Sequence, residues 1–405
     1  MKFTLAGAVG LIATALAVPL AGQAANTFPA IDVRVPVSPR PFVAAGGTHL
    51  VYELHITNLS PRSTTLDVVE VADKSGPPGA TPLLRLERDA LEASLYRPGA
   101  PAPDNERRIL PAGRTAIVFV WISLQARAVP ATLTHRFDVR VDGPTSAAGK
   151  PALSISGVDV PVSAKAPPVI GPPLEGNLWL AANGPDNGAG HRRALLALAG
   201  EARIAQRFAT DWVRLFDDGR TFRGDPLNNA SYRAFGARAL AIADGTVVDT
   251  VDGLPENVPD PVARAVPITP GTLGGNYVLL DLGDELYALY AHLQPGSLTV
   301  TKGDRVRKGQ TLALVGNTGN SSEPHLHFQL ADGPRAFAAE GIPYVLASFD
   351  LQADPTRVTP AFREVGGSLG IDPVSFARWL AAPAQRREKE LPLLNTLLTF
   401  VDVQP

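Results

Sequence analysis

GNTGNSSEPHLHFQL, Gly316–Leu330, sets His325 and His327 two positions apart in a segment that reads as a β-strand. Residues i and i+2 of a strand face the same side. Both imidazoles therefore project from one face, while Leu326 and Phe328 point into a core. Two imidazoles on one rigid face can hold a metal ion beside a proton carrier. A third histidine, His292, lies upstream in YAHLQPGSL, close enough in sequence for a neighbouring strand to deliver it to the same place.

Outward from that stretch, the chain has turns everywhere and few long amphipathic helical patterns. Its 405 residues include 38 Pro and 37 Gly, which favours a mainly β protein. Lys2 precedes an apolar run from Leu5 to Leu20 and a small-residue exit, AGQAA. This pattern predicts a secretory signal peptide over residues 1–25, cleaved near Ala24 or Ala25 and leaving no membrane anchor. The run is short for a membrane span. Cysteine is absent, so stability must come from packing without disulfides. The formal charge of −2, from 37 basic and 39 acidic residues, gives no electrostatic reason to expect nucleic acid as a partner.

Residues 26–163 alternate as strands do. Leu50, Tyr52, Leu54 and Ile56 form one apolar face, and Leu133, Phe137, Val139 and Val141 form another. Ala116–Ser123 is nearly continuous and apolar, as a central strand would be. Turn signals separate these runs, and together they predict an immunoglobulin-like β-sandwich. His49, His55 and His135 lie within its strands and are expected to be ordinary strand residues. A proline-rich linker follows at 164–175. The remainder, 176–405, reads as a second β domain with a C-terminal extension. In it ALAIADGTVV (239–248) suggests strand, tight turn and strand, and Gly283-Asp284 marks a hairpin. Residues 252–275 form a long Pro/Gly-rich loop, a kind usually functional or mobile. Asp372–Ala381 suits a short helix and Leu391–Val401 a last strand.

ADGTVV, YAHL, the KG-x-x-V-x-x-GQ hairpin at Lys302–Gln310 and the following GNTG…PHLHF closely resemble the LytM/lysostaphin-type zinc endopeptidases of bacterial cell walls. The resemblance covers roughly Arg193 to Leu330. It implies an all-β architecture whose C-terminal part is a LytM-like (duplicated hybrid motif) domain. It also implies one Zn²⁺ ion, peptidoglycan as substrate, and a periplasmic or secreted location. In that family the metal is held by the His and Asp of an HxxxD segment and by the second His of HxH. Carried over, His327 and Asp211 become metal ligands, and His292 and His325 the catalytic pair. Three protein ligands would leave one position for a water.

The sequence departs from the pattern at one point. Four residues before Asp211 stands Arg207, permanently protonated and unable to ligate a metal. His191, in GHRRALL, is the candidate replacement, expected to approach from a facing strand across an Ala194–Ile204 hairpin. The alternatives are that Arg207 pairs with Asp211 and fills the metal's place, or that zinc binds poorly. The runner-up function is therefore a degenerate, non-catalytic LytM-type domain that binds wall material or regulates other wall hydrolases.

Overall fold

The computed structural model describes residues 31–99, 102–103, 106–125, 127–142, 153–198, 200–365 and 368–400; the expected signal peptide lies outside them. The first half comprises ten strands: β1 (Ile31–Arg34), β2 (Phe42–Ala44), β3 (Gly47–Asn58), β4 (Thr64–Asp73), β5 (Leu84–Glu87), β6 (Leu95–Tyr96), β7 (Ile109–Leu110), β8 (Thr115–Gln125), β9 (Thr132–Val141) and β10 (Leu153–Pro161). One sheet runs β1-β3-β8-β6 with β2 on β3. The other runs β10-β9-β4-β5 with β7 on β4. Leu50, Tyr52, Leu54 and Ile56 of β3 meet Leu133, Phe137 and Val139 of β9 in the shared core.

The continuous apolar run in β8 has a specific cause. Ala116, Val118, Val120 and Ile122 enter the sandwich core. Ile117 and Phe119 face the other way and are buried against Ile204 of the second half. Over Ala116–Val120 both faces of this strand are dry, so neither needs polar residues there. His49 lies 3.0 Å from the Ala44 carbonyl, and His135 sits between the Tyr52 hydroxyl and the Val158 carbonyl, both at 2.7 Å. Among the described residues, neither they nor His55 join a group at metal-ligand spacing.

The second half is organised by an eleven-stranded sheet. At its centre Thr210–Arg214 lies between Gly176–Ala182 and Leu326–Ala331, followed by Tyr287–Leu293, Asn276–Asp281 and Gly245–Val251. The hairpin expected at Gly283-Asp284 is present, since Asn276–Asp281 pairs antiparallel with Tyr287–Leu293. The strand, turn and strand expected at ALAIADGTVV are also present, as Arg238–Leu240 and Gly245–Val251, but the two strands do not pair with each other. Arg238–Leu240 pairs with Thr311–Leu314, whereas Gly245–Val251 joins Asn276–Asp281 and Arg305–Val306. A strand–turn–strand reading of sequence says nothing about which neighbour each strand takes, and here the apolar Ala239 and Val247 reach one core through different sheets.

The C-terminal residues return to the large sheet. Val345–Ala353 and Leu397–Phe400 pair with each other, and Leu397–Phe400 also pairs with Gly176–Ala182. Between them Pro373–Ala381 is a helix capped by the Asp372 carboxylate, which accepts from the Ser375 amide at 2.9 Å. Val169–Ile170, inside the Pro-rich segment, pairs in parallel with Val345–Leu346. Among the described residues no helix is long and apolar enough to cross a membrane.

Candidate metal centre

Strand register alone brings two of the expected site residues together. Asp211 and His327 are direct cross-strand partners on adjacent antiparallel strands, so their side chains share a face. Leu326 and Phe328, pointing oppositely, are fully buried in the core. His327 Nδ1 lies 2.9 Å from Asp211 Oδ1. His325, just before the strand, points the same way, with Nε2 3.4 Å from that oxygen.

His292 reaches the site by a local exception. Ala291 is the register partner of His327, and simple alternation would send His292 to the opposite face. The chain carries an irregularity there, between the Asn276 and Val278 pairings. His292 adopts φ 63°, a left-handed conformation that costs a non-glycine residue of order 1 kcal/mol or more. A bulge of this kind re-aims a side chain. The His292 ring ends 4.8 Å, centroid to centroid, from His325 and 5.8 Å from His327.

His191 is the fifth member. It comes not from a facing strand but from a single helical turn, Gly190–Arg193. The expected hairpin does form, as Leu196–Leu198 paired with Glu201–Arg203, but the histidine lies before it. Its Nε2 is 3.3 Å from Asp211 Oδ2, and its ring is 4.8 Å from that of His327. His191, Asp211 and His327 each offer a ligand atom within 4.8 Å of the others, a spacing able to hold a metal ion.

The hydrogen bonds around His292, His325 and His327 favour particular tautomers of these rings. Gln329 is two residues beyond His327 and on its face. Its amide nitrogen donates to the Ala336 carbonyl at 2.9 Å, which leaves Oε1 to accept from His327 Nε2 at 3.0 Å. A neutral His327 then presents a bare lone pair at Nδ1, facing a carboxylate oxygen. Two acceptors at 2.9 Å require a second proton or a metal ion between them. The donor set of two imidazoles and a carboxylate suits a borderline divalent ion such as zinc. His292 Nδ1 donates to the Thr318 carbonyl at 2.7 Å, and His325 Nδ1 to the Glu323 carbonyl at 2.8 Å. Asn183 Nδ2 donates to Asp211 Oδ2 at 3.2 Å.

Burial and mutual charge divide the roles. Burial pushes the Asp211 carboxyl up, but the imidazoles of His191 and His325 outweigh it and hold the group well below the usual carboxylate range. Burial drives His191 down to about 4 against the pull of Asp211. His292 is driven well below the usual range, by burial first and then by His325 and His327. For His325 burial acts in the same direction but is overcome by Asp211, so its pKa is raised. The rings border a polar pocket of about 220 Å³, lined also by Gln206, Arg264, Asn320 and Phe337.

Arg207 does not fill the metal's place. It is buried and directed away from Asp211. Its guanidinium donates to Glu53 of β3 at 2.9–3.2 Å, to Glu340 at 2.8 Å and to the Gly341 carbonyl at 2.8 Å. Of the alternatives left open by the sequence, pairing of Arg207 with Asp211 is set aside: two carboxylates elsewhere satisfy it. Sequence reading also missed Gln329, which i, i+2 spacing from His327 would have revealed, and Asn183 and Thr318, which nothing local signals.

Residues 231–338 match Peptidase family M23. That stretch contains His292, His325 and His327, while His191 and Asp211 precede it. The peptidoglycan DD-endopeptidase ShyA of Vibrio cholerae is 43% identical over 56 residues, 14% of this chain and 13% of that protein. The cell division protein DipM of Caulobacter vibrioides is 28% identical over 215 residues, 51% of this chain and 30% of that protein. The chain thus spans under a third of either relative. A solved structure, a putative peptidase M23 from Pseudomonas aeruginosa, is 17% identical with a TM-score of 0.22, covering 67% of this chain and 93% of that one. Within this all-β chain, residues 231–338 constitute a peptidase M23 domain of the LytM type.

Proposed function

We propose that the protein is an exported zinc endopeptidase that hydrolyses peptide bonds in peptidoglycan, with His191, Asp211 and His327 as metal ligands and His292 and His325 as the catalytic pair. The observation that carries this reading is the meeting of His191, Asp211 and His327 at metal-ligand spacing beside two further imidazoles in one polar pocket. The peptidoglycan endopeptidase named among the relatives supports the substrate class and, with it, a periplasmic or secreted location. The sheet orders β1-β3-β8-β6 and β10-β9-β4-β5 correspond to the two sheets of an immunoglobulin domain and support that reading for residues 26–163, with 164–175 as linker and 176–405 as the hydrolase part.

Zinc, when bound, would polarise the scissile carbonyl and lower the pKa of a bound water. The residues do the rest. His292 commits its Nδ1 proton to Thr318 and is held neutral by burial, so its Nε2 lone pair stays available to accept a hydrogen bond from the attacking water. His325 donates Nδ1–H to Glu323 and is biased toward the protonated form by Asp211, which suits it to stabilise developing negative charge and to return a proton to the leaving amine. Gln329 holds His327 in the tautomer that offers Nδ1.

The test is digestion of purified sacculi by the full chain, stripped with chelator and then reconstituted with zinc. Soluble fragments bearing newly released amino groups, seen by mass spectrometry only after reconstitution, are the expected result. Binding to sacculi without cleavage would replace the enzyme with a non-catalytic wall-binding protein.

A further inference from the structure

We infer that the sandwich half completes the metal site by positioning His191, with Glu53 of β3 as the positioning residue. This rests on the reading of His191 as a ligand. The helical turn that carries it has four residues and no side-chain cap. A single turn is not stable by itself, so its place must be imposed from outside. The contacts that impose it come from the sandwich. Arg192, fully buried, forms an ion pair with Glu53 and donates to the Tyr52 carbonyl at 3.0 Å. Arg193 donates to the Ala93 carbonyl at 2.5 Å. Both guanidinium groups lie over the Phe119 ring, at 5.0 and 4.9 Å. Just before the turn, Asn187 donates to the Phe119 carbonyl at 2.9 Å.

Glu53 is the hinge of this arrangement because it also accepts from Arg207. Arg207 stands four before Asp211, at the histidine position of the HxxxD pattern that the resemblance implies. One buried carboxylate on β3 therefore grips both the arginine at that position and the neighbour of the histidine that takes the ligand role. Glu53 itself is 1% exposed in its side chain and reaches none of the metal-site atoms. It acts through Arg192 on where His191 sits, and the sandwich becomes a required part of the metal centre rather than a tethered accessory.

The test is a double-mutant cycle on the full chain, reading Zn²⁺ affinity by competition with a chromogenic chelator at fixed pH. Glu53→Gln is expected to lower affinity by about ten- to a hundredfold, as loss of a ligand-orienting contact does. His191→Ala should lower it further. In the His191→Ala background, Glu53→Gln should change affinity by less than about twofold, because the ligand it positions is gone. Equal losses in both backgrounds, or no loss from Glu53→Gln alone, overturn the proposal. Unchanged affinity in His191→Ala alone overturns the ligand reading instead, and the positioning role with it. Circular dichroism checks folding. Should Glu53→Gln not fold, Arg192→Lys, which keeps both charges and loses the fork, enters the same cycle with the same expected outcomes.

Discussion

Two carboxylates, one buried and one half-buried, divide this molecule between them. Glu53, in the interface between the halves, is surrounded by the guanidinium groups of Arg192 and Arg207. Asp211, in the second half of the chain, is surrounded by the imidazoles of His191, His325 and His327. Arginine is always charged and offers only donors, so Glu53 is neutralised permanently and its neighbourhood is closed. Histidine can offer a lone pair, so Asp211 is left with acceptors facing acceptors and a need for a cation. Glu53 is sealed at 1% side-chain exposure and Asp211 keeps 17%, so one acid fixes a structure and the other leaves chemistry open.

The strongest way to break this contrast is at Asp211's partner. His327→Ala should reduce zinc occupancy from near one ion per chain to below about a tenth, with little change in the melting temperature of the metal-free protein. Equal zinc content in the two proteins would mean that the imidazole lone pair is not what the carboxylate faces. On the other side, Arg207→His creates the HxxxD spacing that the resemblance implies but removes a cation from Glu53 and Glu340. A loss of about 3–5 kcal/mol in unfolding free energy is expected, with no gain in zinc affinity. A tenfold gain at unchanged stability would show that Arg207, not the His191 helix, governs the metal.

Gln329→Leu sharpens the contrast at smaller amplitude. It removes the acceptor that fixes the His327 tautomer, and a ten- to hundredfold loss in zinc affinity follows. Titration with the same chelator would detect it, and unchanged affinity would place the tautomer under other control.

A third acid, Glu256, extends the series to a carboxylate with no cation at all. Burial pushes it up to about 7, and the Asn317 amide, 2.6 Å from Oε2, only partly offsets that. Its folded pKa exceeds the unfolded value near 4.5, so the folded state binds the extra proton between the two. The stability it contributes is full below pH ~4.5 and is lost as pH rises through ~7. Glu256→Gln should remove that slope from the stability–pH profile. An unchanged slope would assign it to another group.

Much of the site was legible because it follows from strand periodicity. His325, His327, Leu326 and Phe328 sort correctly by i, i+2 alternation, and the apolar faces of β3 and β9 do the same. His191 was legible as a candidate residue but not in its geometry, because a four-residue turn held by distant side chains leaves no periodic trace. His292 needed a bulge with positive φ that alternation cannot foresee. The partner of Arg207 was left open for a similar reason: Glu53 lies 154 residues away in the other half, and sequence spacing carries no information about such a contact.

The central claim is that the metal is held by His191 together with Asp211 and His327. Anomalous diffraction at the zinc edge from crystals of the zinc-loaded full chain tests it most directly. The expected result is one peak with His191 and His327 nitrogens and an Asp211 oxygen each at about 2.0–2.2 Å. A peak whose shell excludes His191, or no peak among these three side chains, would contradict the account.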